Sequence, residues 1–117
     1  MTYNPDRSIA RVTSLKAGAY ILKNDLSRSR PHYSYGIYYC SQAMFQLGDN
    51  YWNSFRTKLH DQLLPNQNSS GSWSGRISDD YTFGPNYCTS MAVLALTVEY
   101  RFLPIYQRDE EPAEEKK

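Results

Sequence analysis

Residues 31–64 read PHYSYGIYYCSQAMFQLGDNYWNSFRTKLHDQLL, and this stretch decides the fold. In its first half, residues 31–47, Ile37, Tyr38, Tyr39, Cys40, Ala43, Met44, Phe45 and Leu47 go all the way round a helical axis. No charged side chain lies between His32 and Gly48. A helix that is apolar on every side is expected to be buried on most sides. Pro31 suits its first turn, where a backbone N–H is not needed. Gly48 can end it, and Asp49 can cap the next helix, over residues 49–64. There Trp52, Phe55, Leu59 and Leu63 form one stripe, opposed by Asn53, Arg56, Lys58, His60 and Asp61. A buried helix is followed by an amphipathic one.

The same two kinds recur on either side. Over residues 8–24, Ile9, Val12, Leu15, Ala19 and Leu22 step by three and four, which predicts one apolar face on a helix. After residue 64 comes a long loop, residues 65–84, rich in Ser, Gly and Asn. Residues 85–103 follow, with Met91, Ala92, Val93, Leu94, Ala95, Leu96 and Val98 apolar all round, until Pro104 stops the helix. β-Branched residues are sparse and no alternating run argues for a sheet. The fold class is all-α, and the order is amphipathic, buried, amphipathic, buried. An up-and-down bundle would use four helices of one kind. Alternation predicts two layers, one set of helices outside and one inside.

The 117 residues suffice for one domain, residues 1–106, followed by an acidic tail, residues 107–117. Of 13 basic and 12 acidic residues, three and five fall in that tail, leaving a body of net +3. The tail has one apolar residue, Ala113, so it is expected to remain disordered and solvated. The arginines are scattered rather than gathered into a stripe, which argues against nucleic acid as a partner. The longest apolar run, residues 91–96, is far short of the roughly 20 residues of a membrane span. Residues 1–6 lack the pattern of a signal peptide, so a cytoplasmic location is the default expectation. Two cysteines allow one bridge or two thiols.

Gln67, Gly71 and Trp73 are spaced as Gln-x3-Gly-x-Trp, which resembles the QW motif of squalene and hopene cyclases. The physical logic is that a Gln amide can bond backbone groups left open at a helix end. The Gly permits a turn, and the Trp ring covers the joint. Residues 38–48 resemble an inner helix of that superfamily, Tyr51 and Trp52 the opening of an outer one, and residues 87–100 a closing inner helix. The chain is similar to bacterial prenyltransferase and squalene-oxidase-repeat proteins over residues 8–106. The resemblance implies an α/α toroid, of which four helices make only a part. It implies a non-catalytic helical scaffold or binding module. The alternative is the C-terminal part of a terpenoid cyclase or transferase whose catalytic residues lie outside this chain. Further toroid segments, self-association and an apolar isoprenoid-like ligand are the partners expected.

The chemistry is sparse. Cyclases of this kind use D-x-D-D, and here only Asp79-Asp80 is present, which is read as a solvated loop or helix-cap pair. Prenyltransferases hold zinc with Asp, Cys and His. Cys40 would match the cysteine, Cys88 would replace the histidine, and Tyr38 stands where the aspartate should be. Zinc sites need three or four protein ligands, so Cys40 and Cys88 are weak metal candidates, and two buried thiols are the expectation. No catalytic residue and no cofactor is predicted. Tyr35, Tyr38, Tyr39, Tyr87 and Cys88 are candidates for lining a ligand cavity, the tyrosines by packing on an apolar ligand. Glu99 sits in an apolar helix and requires a partner from another helix.

Overall fold

The computed structural model describes residues 5–24 and 26–100, and it is all-helical, with no strand among them. Helix α1 spans Pro5–Lys23, α2 Tyr33–Leu47, α3 Asp49–Leu63 and α4 Ser78–Leu96. Short 3-10 turns follow α3 at Leu64–Asn66 and α4 at Val98–Tyr100. The acidic tail and Pro104, on which the sequence placed a disordered terminus and a helix stop, lie outside the described residues.

The α2–α3 hairpin is the frame. Gly48 alone separates the two helices, at φ 110°, a conformation that an L side chain resists. Its N–H bonds to Phe45 O at 3.3 Å and its carbonyl accepts from Trp52 N at 2.9 Å. Trp52, Phe55, Leu59 and Leu63 are all buried, so the stripe read from the sequence forms as expected. They meet Ile37, Met44 and Phe45 of α2, with Phe45 edge-on to Trp52 at 5.7 Å. Each such side chain contributes about 1.5–3 kcal/mol when fully buried.

Helix α2 touches every other helix and the last 3-10 turn, which makes it the centre of the domain. It is nevertheless not buried all round. Ser34, Ile37, Tyr38, Ser41, Met44 and Phe45 are buried, while Tyr35 and Tyr39 are each 49% exposed. It also starts at Tyr33 rather than Pro31, because His32 adopts the left-handed conformation, φ 60°.

Helix α4 runs parallel to α2, with Asp80 beside Ser34 at one end and Glu99 beside Trp52 at the other. The sequence expected it to begin at 85, yet helical structure begins at Ser78 and is broken at Gly84, φ 80°, just before Pro85. Cys88, Ala92 and Ala95 face the core, whereas Val93 and Leu94 face out. Here too one face is buried, not every side. The small side chains Ala92 and Ala95 let α4 lie close on α2.

Helix α1 departs most from expectation. Gly18 sets its approach, since a Cβ there would come within 2.5 Å of Leu47 and 2.9 Å of Tyr51. That contact turns Ile21 and Leu22 toward the core and leaves Ile9 and Val12 facing away from it. Of the face predicted from Ile9, Val12, Leu15, Ala19 and Leu22, Leu15 and Leu22 are half-buried and Leu22 packs on the core, whereas Ile9, Val12 and Ala19 are exposed. Ile9 is 66% exposed, in a half of α1 that runs on beyond the α2–α3 turn.

Candidate functional site

The N-terminal end of α2 stands between two cavities of opposite character. On the α4 side a closed cleft of about 10 Å³ is bounded by Tyr33, Ile37, Trp73, Asp80 and Cys88. On the α1 side an open groove of about 210 Å³ is bounded by Tyr20, Ile21, Leu26, Gly36 and Cys40. Tyr33 and Ile37 line both.

The closed side is polar and tied. The Gly84 break turns the first six residues of α4 back across the start of α2, where the free N–H groups carry partial positive charge. Asp80, 5% exposed, accepts from Ser34 N at 3.2 Å and from Ser34 Oγ at 2.9 Å. Asp79 Oδ2 meets His32 Nδ1 at 2.5 Å, so both acids hold the same helix start. Cys88 Sγ donates to Asp80 O at 3.3 Å. Gly75 passes so close beneath that a Cβ there would lie within 2.8 Å of Asp80 Cα and 2.6 Å of its carbonyl carbon.

The loop is fastened to the same place. Trp73 Nε1 donates to Leu63 O at 2.8 Å, satisfying a carbonyl left open at the end of α3. Trp73 N donates to Thr89 Oγ1 at 3.0 Å. Gln67 Nε2 bonds Gly71 O at 2.8 Å, inside the loop rather than at the helix end, and Gly71 takes φ 93°. Arg28 donates to Asn66 Oδ1 at 2.8 Å and Ser74 O at 3.0 Å. Burial pushes the Tyr33 hydroxyl up to about 12, with Arg28 opposing and Asp80 adding. Its oxygen is buried and has no hydrogen-bond partner among the described residues.

The open side is apolar. Nothing lies within 4 Å of where a Cβ on Gly36 would stand, so this glycine leaves a gap in the wall of α2. Cys40, half-buried, faces the gap, and burial raises its thiol above the ordinary value, keeping it neutral. Asn24, Arg30 and His32 supply polar groups at the edge.

The residues singled out from sequence fall in several places. Cys88 lines the cleft and Cys40 the groove, both as free thiols. Among the described residues no three His, Cys, Asp or Glu side chains gather into a set that could hold a metal. Tyr35 and Tyr39 meet at 4.6 Å in a tilted pair on the outer side of α2, and Tyr38 packs edge-on to Tyr39 at 4.9 Å. Tyr87 lies against Phe83 at 5.3 Å, half-buried. Glu99 finds its partners on another helix, Trp52 Nε1 and Arg56 Nη1, each at 3.2 Å. Sequence reasoning missed the groove itself. Its one signal was Gly36, a residue without a side chain inside an otherwise aromatic helix. The chain matches no family model, no curated protein and no solved structure.

Proposed function

We propose that this chain is a non-catalytic helical binding module whose ligand site is the apolar groove between α1 and α2. The observation that carries the reading is the contrast in what the polar groups do. Asp79, Asp80 and Glu99 are each engaged in holding helices together. The 210 Å³ groove, by contrast, is walled by Ile21, Leu26, Ile37, the Cys40 thiol and the gap at Gly36.

Size narrows the ligand. Drug-sized sites run from about 300 Å³ upward, while about 150 Å³ is enough for one benzene-sized ring. The groove suits a short aliphatic or isoprenoid chain, or one ring, and is too small for a thirty-carbon skeleton. That favours binding by this chain over triterpene cyclisation within it. The Trp73 cap on α3 supports its derivation from a cyclase- or prenyltransferase-like toroid, with further segments or a second copy as partners.

The test is displacement of an environment-sensitive apolar fluorophore by a short isoprenoid alcohol. Wild-type protein binds the fluorophore, and Gly36→Leu, which fills the gap, abolishes binding while the fold persists. Equal binding by both proteins would remove the groove as the site.

A further inference from the structure

The groove between α1 and α2 has a charged end. Arg30, Pro31 and His32 line it where the loop from α1 enters α2, and Gly36 and Cys40 line it farther along. Tyr33, Gly36, Ile37 and Cys40 recur at helical spacing, so they share one side of α2. From Tyr33 to Cys40 this wall runs about 10 Å at 1.5 Å per residue.

The polar groups at the charged end are used differently. Asn24 Nδ2 donates to Tyr20 O at 2.7 Å, Ser27 Oγ meets Ser29 Oγ at 2.6 Å, and His32 Nδ1 is held by Asp79. The Arg30 backbone N–H donates to Ser27 O at 3.1 Å, which fixes where its side chain leaves the loop. Its guanidinium makes no hydrogen bond or ion pair among the described residues, whereas Arg28 is bound to Asn66 and Ser74 and Arg56 to Glu99. No Asp or Glu lines the groove among the described residues, and Asp79 is spent on His32. Residues 26–48 hold Arg28 and Arg30 and no acid. The free N–H groups at the start of α2 add partial positive charge at the same end. An apolar channel with an uncommitted guanidinium at one end complements an amphiphile with an acidic head.

An apolar site of about 150 Å³ takes one six-carbon ring, so the groove, at about 210 Å³, takes a chain of about eight carbons. We infer that its ligand is an aliphatic carboxylate of about that length, with its head on Arg30 and its chain running past Gly36 to Cys40. This rests on the reading of the groove as the ligand site, and it adds the head group and the direction of the chain. The guanidinium fork meets a carboxylate with two parallel N–H···O bonds, a match that an alcohol does not make. The chain covers the gap at Gly36, where a Cβ would touch nothing.

The experiment is competition against the bound fluorophore by octanoate and by octan-1-ol, in wild-type protein and in Arg30→Gln. Both ligands should displace it from wild type. In Arg30→Gln octanoate should bind about fivefold more weakly, the scale of one exposed ion pair, with octan-1-ol unchanged. Displacement by octan-1-ol alone, or an equal effect of Arg30→Gln on the two ligands, overturns the head group and leaves the groove as the site. Displacement by neither removes the groove itself, and this inference with it. Alkylation of Cys40, read by mass spectrometry on wild-type protein, gives a second readout. It should slow in octanoate while Cys88, in the closed cleft, does not change. An unchanged rate at Cys40 places the chain elsewhere and overturns the direction assigned to it.

Discussion

The two sides of α2's first turns are built to opposite rules. Toward α4, Asp80, Ser34, Cys88, Trp73 and Arg28 join four stretches of chain by hydrogen bonds and leave about 10 Å³ of space. Toward α1, mostly apolar side chains face about 210 Å³ of open groove. Buried polar groups must be satisfied, and satisfying them fixes geometry. Apolar walls carry no such demand and can stay apart. Structure is concentrated on one side of the helix and capacity on the other.

The largest effect should come from crowding the tied side. Gly75→Ala drives a methyl group into the Asp80 backbone and should cost about 3 kcal/mol in denaturant unfolding. An unchanged midpoint would show that the loop is free to move and the clamp is not rigid. Asp80→Ala removes the acceptor for Ser34 N and Oγ and should cost about 2 kcal/mol. Trp73→Phe keeps an aromatic ring but loses the indole N–H, leaving Leu63 O without its donor, at about 1 kcal/mol for the lost bond.

On the open side the sign reverses. Gly36→Leu replaces a poor helix former over empty space and should leave stability unchanged or raise it by up to about 1 kcal/mol. A marked loss would mean that the groove is already filled. The last effect, seen only at alkaline pH, concerns Tyr33, which both cavities share. Its folded value of about 12 lies above the ordinary 10.0, so the folded state holds the proton more tightly. The stability this contributes is fully present below pH 10 and is lost as pH rises toward about 12. Tyr33→Phe should flatten that decline in alkaline unfolding curves.

Legibility in the sequence followed the strength of local signals. The stripe Trp52, Phe55, Leu59 and Leu63 was readable because every fourth or third position repeats one chemistry. The need of Glu99 for a partner on another helix was readable because an acid among apolar residues cannot stay alone. The packing face of α1 was only partly readable, through Leu15 and Leu22, since Gly18, with no side chain to register in a pattern, sets the closest approach, against Leu47 and Tyr51. Helices α2 and α4 looked buried on all sides because Tyr35, Tyr39, Val93 and Leu94 count as apolar whether or not anything covers them. The start of α4 at Ser78 was masked by Gly84 and Pro85, which read as a boundary and are a bend. The role of Asp79 and Asp80 was half legible. A capping pair was among the expectations, but the helix they cap is α2, across the fold, and Asp80 is buried rather than solvated.

The reach of that contact has a consequence for the order of assembly. Ser34 and Asp80 are 46 residues apart along the chain, whereas a single glycine separates α2 from α3. Closing a long loop costs entropy before any bond rewards it, so local pairings form ahead of distant ones. On a ribosome the α2–α3 hairpin can emerge and collapse before Asp80 has been synthesised. The helix start it fastens is then among the last parts of the domain to lock, and among the first to be released when the domain loosens.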